Sequence, residues 1–351
     1  MFEGDCDLTA VVRDDDLRAR LESARGKPGY GTMRDIIIQQ QAERDAERLM
    51  TPVERRRVQT RKELQNEKFE EEDRHHIHSV LALCGLPYRE PKDGAREFVR
   101  EYGRNSLAVQ AGFLKNPVTG KMDPQGLPCG PKARLLLLHI CTMAVRQKSP
   151  QIEIADSMSA FIRDLGFPVT GGQKGTLTQF KEQLNRLAAA RMQIGVWRGE
   201  RSMTINSQPI RAFDVWLPRD ADQRLLWSSE LRLDQEFYES LREHALPVDI
   251  RALRAFSQSA KQIDIVLWLG YRMRKVERRY VITWEVLQEQ FGAGVKRDRK
   301  FREMFADDIR AVQEVFPNLP VEISENGLVL KPSDPDKLFV TARKHKFITA
   351  G

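Results

Sequence analysis

An amphipathic segment that starts at Thr176 and runs straight into two extended segments limits the fold of this chain most. Its apolar residues recur at the spacing of one helical face: Leu177, Phe180, Leu184, Leu187 and Ala188. Thr176 and Gln179 occupy the positions of a capping box, so a helix is expected to begin there. Residues 193–197 and 203–216 then predict a hairpin with arginines at its tip. This order is typical of the recognition helix and wing of a winged helix, although an ordinary surface helix packed on a hairpin has the same pattern.

The polar face of this helix carries forked and hydroxyl side chains, which are the types that hydrogen-bond to base edges in a major groove. The glycine-rich loop before the helix adds a lysine, and the turn after it adds two arginines. We therefore predict DNA contacts from Lys174, Thr176, Thr178, Gln179, Gln183, Arg186, Arg198 and Arg201.

The elements expected upstream fit the same interpretation. Residues 132–148 contain four consecutive leucines and follow Pro131, a favoured first residue of a helix. A strand at 151–154 and a helix at 156–165 are expected next. Helix, strand, helix, helix and hairpin is the order of a winged-helix domain.

The same order recurs in the C-terminal half without obvious sequence identity. A strand is expected at 231–233, followed by helices at 234–238, 247–256 and 259–276. A strand at 280–282, helices at 284–291 and 296–316, and a hairpin of 321–324 with 327–330 complete the set. Basic residues cluster where the last of these helices begins, and a helix N-terminus already favours phosphate. We predict DNA contacts there from Lys296, Arg297, Arg299, Lys300, Arg302 and Arg310.

Together these elements predict an α+β chain, mainly α, with tandem winged-helix domains at 96–220 and 221–335. Residues 1–95 are expected to be a charged, partly disordered extension whose first 74 residues form a solvated helix or mobile arm rather than a folded core. Residues 336–351 are expected to be a basic tail that either touches phosphates or only aids solubility.

Two short strands, at 98–102 and 106–111, are expected ahead of the first domain. An isolated two-stranded hairpin is marginal in water, so these strands need another sheet. Either the wing of the first domain or a partner chain would supply it, and we expect a weak homodimer that depends on Leu107 and Val109.

Composition limits the partners and the compartment. The net charge of +7 favours a polyanionic partner. The sequence shows neither an apolar run long enough to span a bilayer nor a signal segment, which predicts a cytoplasmic protein without a membrane partner. The four cysteines lie far apart, and the cluster of His75, His76 and His78 has no second ligand set, so we expect no disulfide, metal or other cofactor.

Several separated blocks resemble the plasmid RepA replication-initiator family: residues 125–137, 170–176, 247–253, 264–273, 282–284 and 290–292. The likeness runs over residues 98–333 and departs at Cys129, where an aromatic residue is expected. The resemblance implies tandem winged helices that bind repeated double-stranded sites at a plasmid origin and recruit host replication machinery, such as a helicase or initiator. It also implies exchange between a dimer and a DNA-bound monomer.

Two other classes remain for comparison. An enzyme such as a relaxase or nuclease needs paired carboxylates, a histidine cluster or a tyrosine beside a metal site, and none is spaced for that use. The loop at Gly171 lacks a P-loop pattern, so no NTPase is expected. A winged-helix transcriptional repressor stays open, because an initiator can also repress its own promoter.

Overall fold

The computed structural model describes residues 11–116, 119–172, 174–198, 201–213, 230–274 and 276–332. Within them the chain mixes α-helices and β-strands, as predicted. The chain divides into two compact units between Gln59 and Thr60.

The first unit is helical and has a small core of its own. Helix α1 spans Asp15–Ala24, α2 spans Tyr30–Leu49, and α3 (Pro52–Asn66) crosses the division. Among its described residues, the buried apolar side chains are Val12, Leu17, Leu21 and Ile37. The prediction of a segment without a folded core is therefore wrong, because α1 and α2 bury apolar residues against each other.

An ion-pair cluster stabilises the start of this unit. The Asp14 carboxylate accepts hydrogen bonds from Arg44 at 2.8 Å and from Arg48 at 2.6 Å. These bonds lower the pKa of Asp14 to about 2. The Gln41 amide oxygen, which is buried, accepts from the backbone N–H of Asp14 at 3.0 Å and so joins the two helices.

In the second unit, β1 (Arg74–His78) and α4 (Ser79–Cys84) follow the end of α3, and both precede the predicted domain start at residue 96. Ile77, Val80 and Leu81 lie in the main hydrophobic core of this unit. The compact unit thus begins earlier than the charge-rich composition indicated, because a short apolar segment follows the charged residues directly.

Two sets of elements follow, in nearly the predicted order. The first set is β2 (Glu97–Tyr102), β3 (Asn105–Gln110), β4 (Phe113–Lys115), β5 (Met122–Pro124), α5 (Gly130–Gln147), β6 (Gln151–Glu153), α6 (Ala155–Asp164), α7 (Thr176–Ala189), β7 (Arg191–Arg198), β8 (Arg201–Ser207) and β9 (Ile210–Phe213). The second set is β10 (Glu230–Leu233), α8 (Gln235–His244), β11 (Ala245–Asp249), α9 (Ile250–Arg254), α10 (Ala260–Met273), β12 (Tyr280–Thr283), α11 (Trp284–Phe291), α12 (Asp298–Val315), β13 (Val321–Ser324) and β14 (Gly327–Leu330). The hairpin arm beyond Phe213 lies outside the described residues, and so do residues 218–223, which their polar composition predicts to be a linker.

The two short strands ahead of α5 join the hairpin that follows α7. The four-stranded sheet has the order β2-β3-β7-β8, and Leu107 of β3 lies opposite Ile194 of β7. Gly195 allows this close pairing, because a Cβ there would lie 2.2 Å from the Ser106 hydroxyl oxygen. The hairpin of β7 and β8 therefore supplies the sheet that these strands need, and Leu107 and Val109 are buried in the core instead of facing a partner.

A strand of the second set completes a sheet of the first. β10 lies between β6 and β9 in a three-stranded sheet. The second set also has a sheet of its own, in the order β12-β14-β13. In this sheet β12 pairs with β14, the second strand of the hairpin. The two halves consequently share strands and one continuous hydrophobic core.

Residues 247–256 do not form the predicted single helix. Pro247 lies in β11, which pairs with β1 so that Arg74 is opposite Asp249. Proline restricts the preceding residue to extended backbone and lacks an N–H, so a helix cannot pass through this position easily. The Asp249 carboxylate instead accepts from the backbone N–H of Arg251 and caps the short helix α9.

The long helices α5 and α10 contribute much of the core and meet at a buried ion pair. Arg134 Nε lies 2.6 Å from Asp264 Oδ1, and both side chains are almost fully buried. Arg134 also donates to the backbone oxygens of Pro87 and Gly130 at 3.0 Å. Burial alone would lower the pKa of Arg134, but Asp264 outweighs it and raises that pKa above its usual value.

Candidate nucleic-acid interface

Helix α7 buries the predicted apolar stripe. Leu177, Phe180 and Leu184 are at most 7% exposed, and Leu187 and Ala188 are buried as well. Phe180 packs edge-on against Phe167, with ring centroids 5.3 Å apart. The stripe fixes the rotation of α7, so the opposite face is directed away from the core.

The cap of α7 differs from the predicted capping box. Gly175 is the N-cap residue, and the Thr170 hydroxyl accepts the backbone N–H of Thr176 at 3.1 Å. Gln179 donates to the Lys174 backbone oxygen instead of to an N-cap N–H. The prediction was wrong because Thr170, six residues earlier, folds back over the glycine turn and takes the capping role.

The N-terminal turns of α7 present polar groups to solvent. Lys174 and Gln179 are exposed, and Thr176 and Thr178 are half-buried. The Thr178 hydroxyl donates to the Gly172 backbone oxygen at 2.6 Å, which fixes the loop against the helix. This end of the helix can hydrogen-bond to an incoming ligand.

The C-terminal half of the same face is covered by the chain itself. The Gln183 amide oxygen accepts from the backbone N–H of Cys129 at 2.9 Å. Arg186 donates to the Leu127 backbone oxygen at 3.2 Å and to Glu90 and Glu182, and its side chain is 11% exposed. Burial opposes the charge of Arg186, but the two glutamates outweigh it and raise the pKa of the guanidinium.

The sequence predicts only some of the contacts that cover this half of the helix face. Glu182 and Arg186 are spaced four residues apart, which predicts their contact on one helix face. Nothing in the spacing indicates that Glu90 and residues 127–129 lie across that face, because they come from distant parts of the chain.

The predicted contacts in the first wing are only partly described. Arg198 of β7 lies opposite Arg201 of β8 in the register of the two paired strands. Their side chains and the two residues between them lie outside what the structure describes, and so does the basic tail at 336–351.

Helix α12 also buries its predicted stripe. Phe301, Phe305, Ile309 and Val312 are fully buried, while Phe316, beyond the end of the helix, is half-buried. Trp284 of α11 packs edge-on against Phe301 and Phe305, at centroid distances of 6.4 and 6.2 Å. These aromatic contacts hold α12 against α11 with its polar face outward.

All six predicted cations of the α12 region are exposed: Lys296, Arg297, Arg299, Lys300, Arg302 and Arg310. Arg299 pairs with Glu303 at 2.9 Å, and Arg310 pairs with Asp307 at 2.5 Å. The Arg302 guanidinium lies over the Trp284 ring, 5.7 Å from its centroid.

Lys296, Arg297 and Lys300 form no ion pair within the described part of the chain. They lie at the N-terminal end of α12, where the helix dipole also attracts anions. We call these three residues the α12 basic cluster. This end of α12 therefore presents positive charge to solvent.

His75, His78 and His139 lie in the core. His75 and His139 both stack on Phe161, at centroid distances of 5.6 and 4.3 Å, and His78 Nε2 lies 3.0 Å from the Ser240 hydroxyl oxygen. Burial lowers the pKa of His75 and His78 to about 3 and that of His139 to about 4. Among the described residues, no three His, Cys, Asp or Glu side chains converge as metal ligands.

The remaining sequence features also map to the interior. Cys84, Cys129 and Cys141 are free and buried, and burial raises the pKa of Cys84 and Cys141 to about 12. No helix in the described ranges is both long and apolar enough to cross a bilayer.

Residues 127–286 match the family model described as plasmid encoded RepA protein, so the resemblance noted from the sequence blocks is confirmed over these residues. A solved structure titled "Crystal structure of SeMet derivatives of domain2 and domain 3 of RctB" aligns with 74% of this chain and 100% of that chain, at 10% identity and a TM-score of 0.44. A TM-score of this size does not establish a shared fold. No curated protein matches the chain.

Proposed function

Since residues 127–286 match the plasmid-encoded RepA family, we propose that the chain is a plasmid replication initiator that binds repeated double-stranded DNA sites at an origin. The observation that carries the proposal beyond the family match is the exposed α12 basic cluster at the end of a helix that is otherwise anchored by aromatic contacts. Positive charge at a rigid helix N-terminus is suited to a DNA phosphate.

The proposal includes two winged helices. In the second set, α10, β12, α11 and α12 are followed by the β13-β14 hairpin, and β14 pairs back with β12. This is the connectivity expected of a winged helix, with α12 as recognition helix. The first set has the same element order with α7 in that role, but its hairpin of β7 and β8 shares a sheet with β2 and β3, while β6 pairs with β10 in a separate sheet.

Different residues are assigned to base reading and to phosphate contact. Gln179, with Lys174, Thr176 and Thr178, is assigned to base edges, because this end of α7 is open to solvent. The α12 basic cluster, Arg299, Arg302 and Arg310 are assigned to phosphates, as are Arg198 and Arg201 of the first wing. Contact of Gln183 or Arg186 with a base requires their bonds to residues 127–129 to break, so we assign them to positioning α7.

The chain is proposed to act by binding rather than by catalysis, in the cytoplasm, and to recruit a host helicase or initiator. A weak homodimer is also proposed. Its interface is assigned to β2, the edge strand of the four-stranded sheet, where Val99 is 63% exposed. Sedimentation of the free protein over a wide concentration range tests this part, and a monomer throughout would remove it.

Footprinting on the DNA that flanks the coding sequence tests the function. The proposal predicts several protected sites of the same sequence at regular spacing, and Gln179→Ala is expected to cost about 1–3 kcal/mol at those sites while relaxing the preference at one base pair. Arg186→Ala is expected to weaken binding to the cognate sites more than binding to random DNA, because it loosens the helix that carries the base-reading residues, without relaxing the preference at a single base pair. A single protected operator at a promoter would favour the transcriptional repressor instead.

A further inference from the structure

The hairpin of β4 and β5 exposes apolar side chains beside α7. Its strands pair antiparallel, with Phe113 opposite Pro124 and Lys115 opposite Met122. Directly paired residues lie on the same face of a sheet, and alternate residues of a strand share a face. All four residues are exposed, Phe113 at 55% and Met122 at 60%. None of the contacts proposed above uses this face of the hairpin.

Hydrogen bonds at both ends hold the hairpin in one geometry. At its base, the backbone N–H of Gln125 donates to the Gly112 backbone oxygen at 2.9 Å. Nearer the turn, the backbone N–H of Asn116 donates to the Lys121 oxygen at 2.8 Å, and its amide nitrogen donates to Asp123 at 2.6 Å. A two-stranded hairpin alone is marginal in water. These bonds keep the apolar face presented to solvent although no further strand supports it.

A cation fixes the exposed aromatic ring. The Arg96 guanidinium lies over the Phe113 ring, 5.2 Å from its centroid. Its Nη2 donates to the backbone oxygens of Ala111 and Gly112 at 3.0 and 3.1 Å, so the guanidinium is itself held in place. Phe113 is therefore ordered on one side by a cation and open to a ligand on the other.

The charges around this face select a polyanion. Arg96, Lys115 and Lys121 are exposed and form no ion pair with any described residue. Asp123 is the one carboxylate in the sequence of residues 112–125, and its bond to Asn116 already occupies it. An apolar centre flanked by free cations matches the base stack of a duplex between its phosphates.

The hairpin lies where a duplex held by α7 can reach it. Its base touches the C-terminal end of α7, because a Cβ on Gly112 would overlap the backbone oxygen of Ala189, the last residue of that helix. The chain that leaves β5 then crosses the polar face of α7, where Cys129 bonds to Gln183. The 14 residues of α7 span about 20 Å. A minor groove flanks the major groove at half a helical turn, about 17 Å away.

We propose that the β4-β5 hairpin enters the minor groove beside the α7 site and that Phe113 and Met122 wedge between base steps there. This inference rests on the proposed function and adds to it a contact that bends the duplex. Phe, Met and Pro are among the side chains that minor-groove proteins insert as wedges, and such insertion kinks DNA by about 20–90°. Arg96 and the two lysines contact the phosphates on either side, which offsets the cost of unstacking.

Fluorescence of 2-aminopurine tests the wedge on the full chain. The probe is a duplex that carries one footprinted repeat, with 2-aminopurine in place of each flanking adenine in turn, since its emission rises when the base unstacks. Wild-type protein is expected to raise the emission at a step outside the α7 site. Phe113→Ala with Met122→Ala is expected to abolish this rise, whereas Phe113→Leu alone, which keeps an apolar side chain, retains it.

A matched control and a second readout accompany this test. Tyr280→Ala removes an aromatic ring of similar exposure, 52%, that no DNA contact uses, and is expected to leave the signal unchanged. Energy transfer between dyes at the two ends of the duplex measures the bend, which the double variant is expected to lose while it keeps the base preference set by Gln179. Both replaced side chains are exposed, so the double variant is expected to melt at the wild-type temperature.

The outcomes separate this inference from the proposed function. Specific binding of wild-type protein to the repeats, with a straight duplex and flat emission at every flanking position, would overturn the wedge and leave the proposed function standing. Absence of specific binding by the wild-type protein would remove the proposed function itself. An unchanged bend and emission in the double variant, with loss of self-association or of binding to an acidic protein, would assign this face to a protein partner and overturn the wedge.

Discussion

At the scale of residues, Asp264 is a carboxylate enclosed by the two halves of the second unit. It accepts from Arg134 at 2.6 and 2.8 Å, and Arg100 lies 3.7 Å away. Gly85 leaves room for it, since a Cβ there would lie 2.5 Å from Asp264 Oδ2. Buried charges of this kind are satisfied only as a set, because removal of one partner leaves the others unpaired in a medium of low polarity.

Asp264→Ala is therefore expected to lower the free energy of unfolding by about 3–5 kcal/mol, as measured by urea denaturation. The matched control is Glu303→Ala, which breaks an ion pair to Arg299 whose side chains are 61% and 92% exposed. An exposed pair contributes less than about 1 kcal/mol. Equal small losses in both variants would contradict the structural role given to Asp264.

The buried histidines predict loss of stability in mild acid. The folded protein keeps His75, His78 and His139 neutral, because burial depresses their pKa values to about 3, 3 and 4. Below pH about 6.5 the unfolded chain binds protons that the folded chain does not, so stability falls as pH falls, by up to about 1.4 kcal/mol per pH unit for each histidine.

Urea midpoints between pH 7 and pH 5 measure this dependence. His78→Gln is expected to reduce the pH slope by about one proton, because one titrating group is removed from the unfolded chain. A stability that stays constant from pH 7 to pH 5 would show that these histidines are accessible to protons in the folded state.

At the scale of elements, α12 combines a buried aromatic face with an exposed cationic end. The triple variant Lys296→Gln, Arg297→Gln and Lys300→Gln is expected to weaken binding to cognate and random DNA alike. The slope of log K against log salt should fall by about 0.9 for each phosphate that is no longer neutralised, or nearly 3 in all. Arg242→Gln, an exposed cation outside both proposed recognition helices, serves as the control and should leave the slope unchanged. An unchanged slope in the triple variant would remove α12 from the DNA interface.

Periodicity predicted the elements well where one face of a helix is apolar. The stripes of α7 and α12 and the hairpin of β13 with β14 follow the sequence pattern directly. The pattern failed where long-range pairing decides the structure. β11 pairs with β1, which lies more than 160 residues away in the sequence. β10 belongs to the second set but pairs with β6 of the first, and residues 127–129 cover part of α7. Single-sequence spacing carries no information on such contacts.

At the scale of the whole molecule, the boundary between the two compact units predicts which fragments of the chain can fold. A fragment of residues 60–351 keeps every core residue of the second unit and is expected to fold and bind DNA. A fragment of residues 96–351 lacks β1 and α4, and with them Ile77, Val80 and Leu81. Removing several buried apolar side chains costs more than the typical stability of a domain, so this fragment is expected not to fold.

Circular dichroism and thermal melting of the two fragments check this expectation. A cooperative transition in the shorter fragment would show that residues 60–95 are dispensable and that the compact unit begins near residue 96, as composition alone indicated.

The central claim is that the chain initiates replication by binding its own origin. The most direct measurement is the establishment of a DNA circle that carries the flanking DNA and a selectable marker but no other origin, with the protein supplied in trans. Wild-type protein and Arg242→Gln are expected to yield replicating circles, whereas the triple variant of the α12 basic cluster is expected to yield none despite normal folding. Failure of the wild-type protein to maintain the circle, or equal maintenance by the triple variant, would contradict the account.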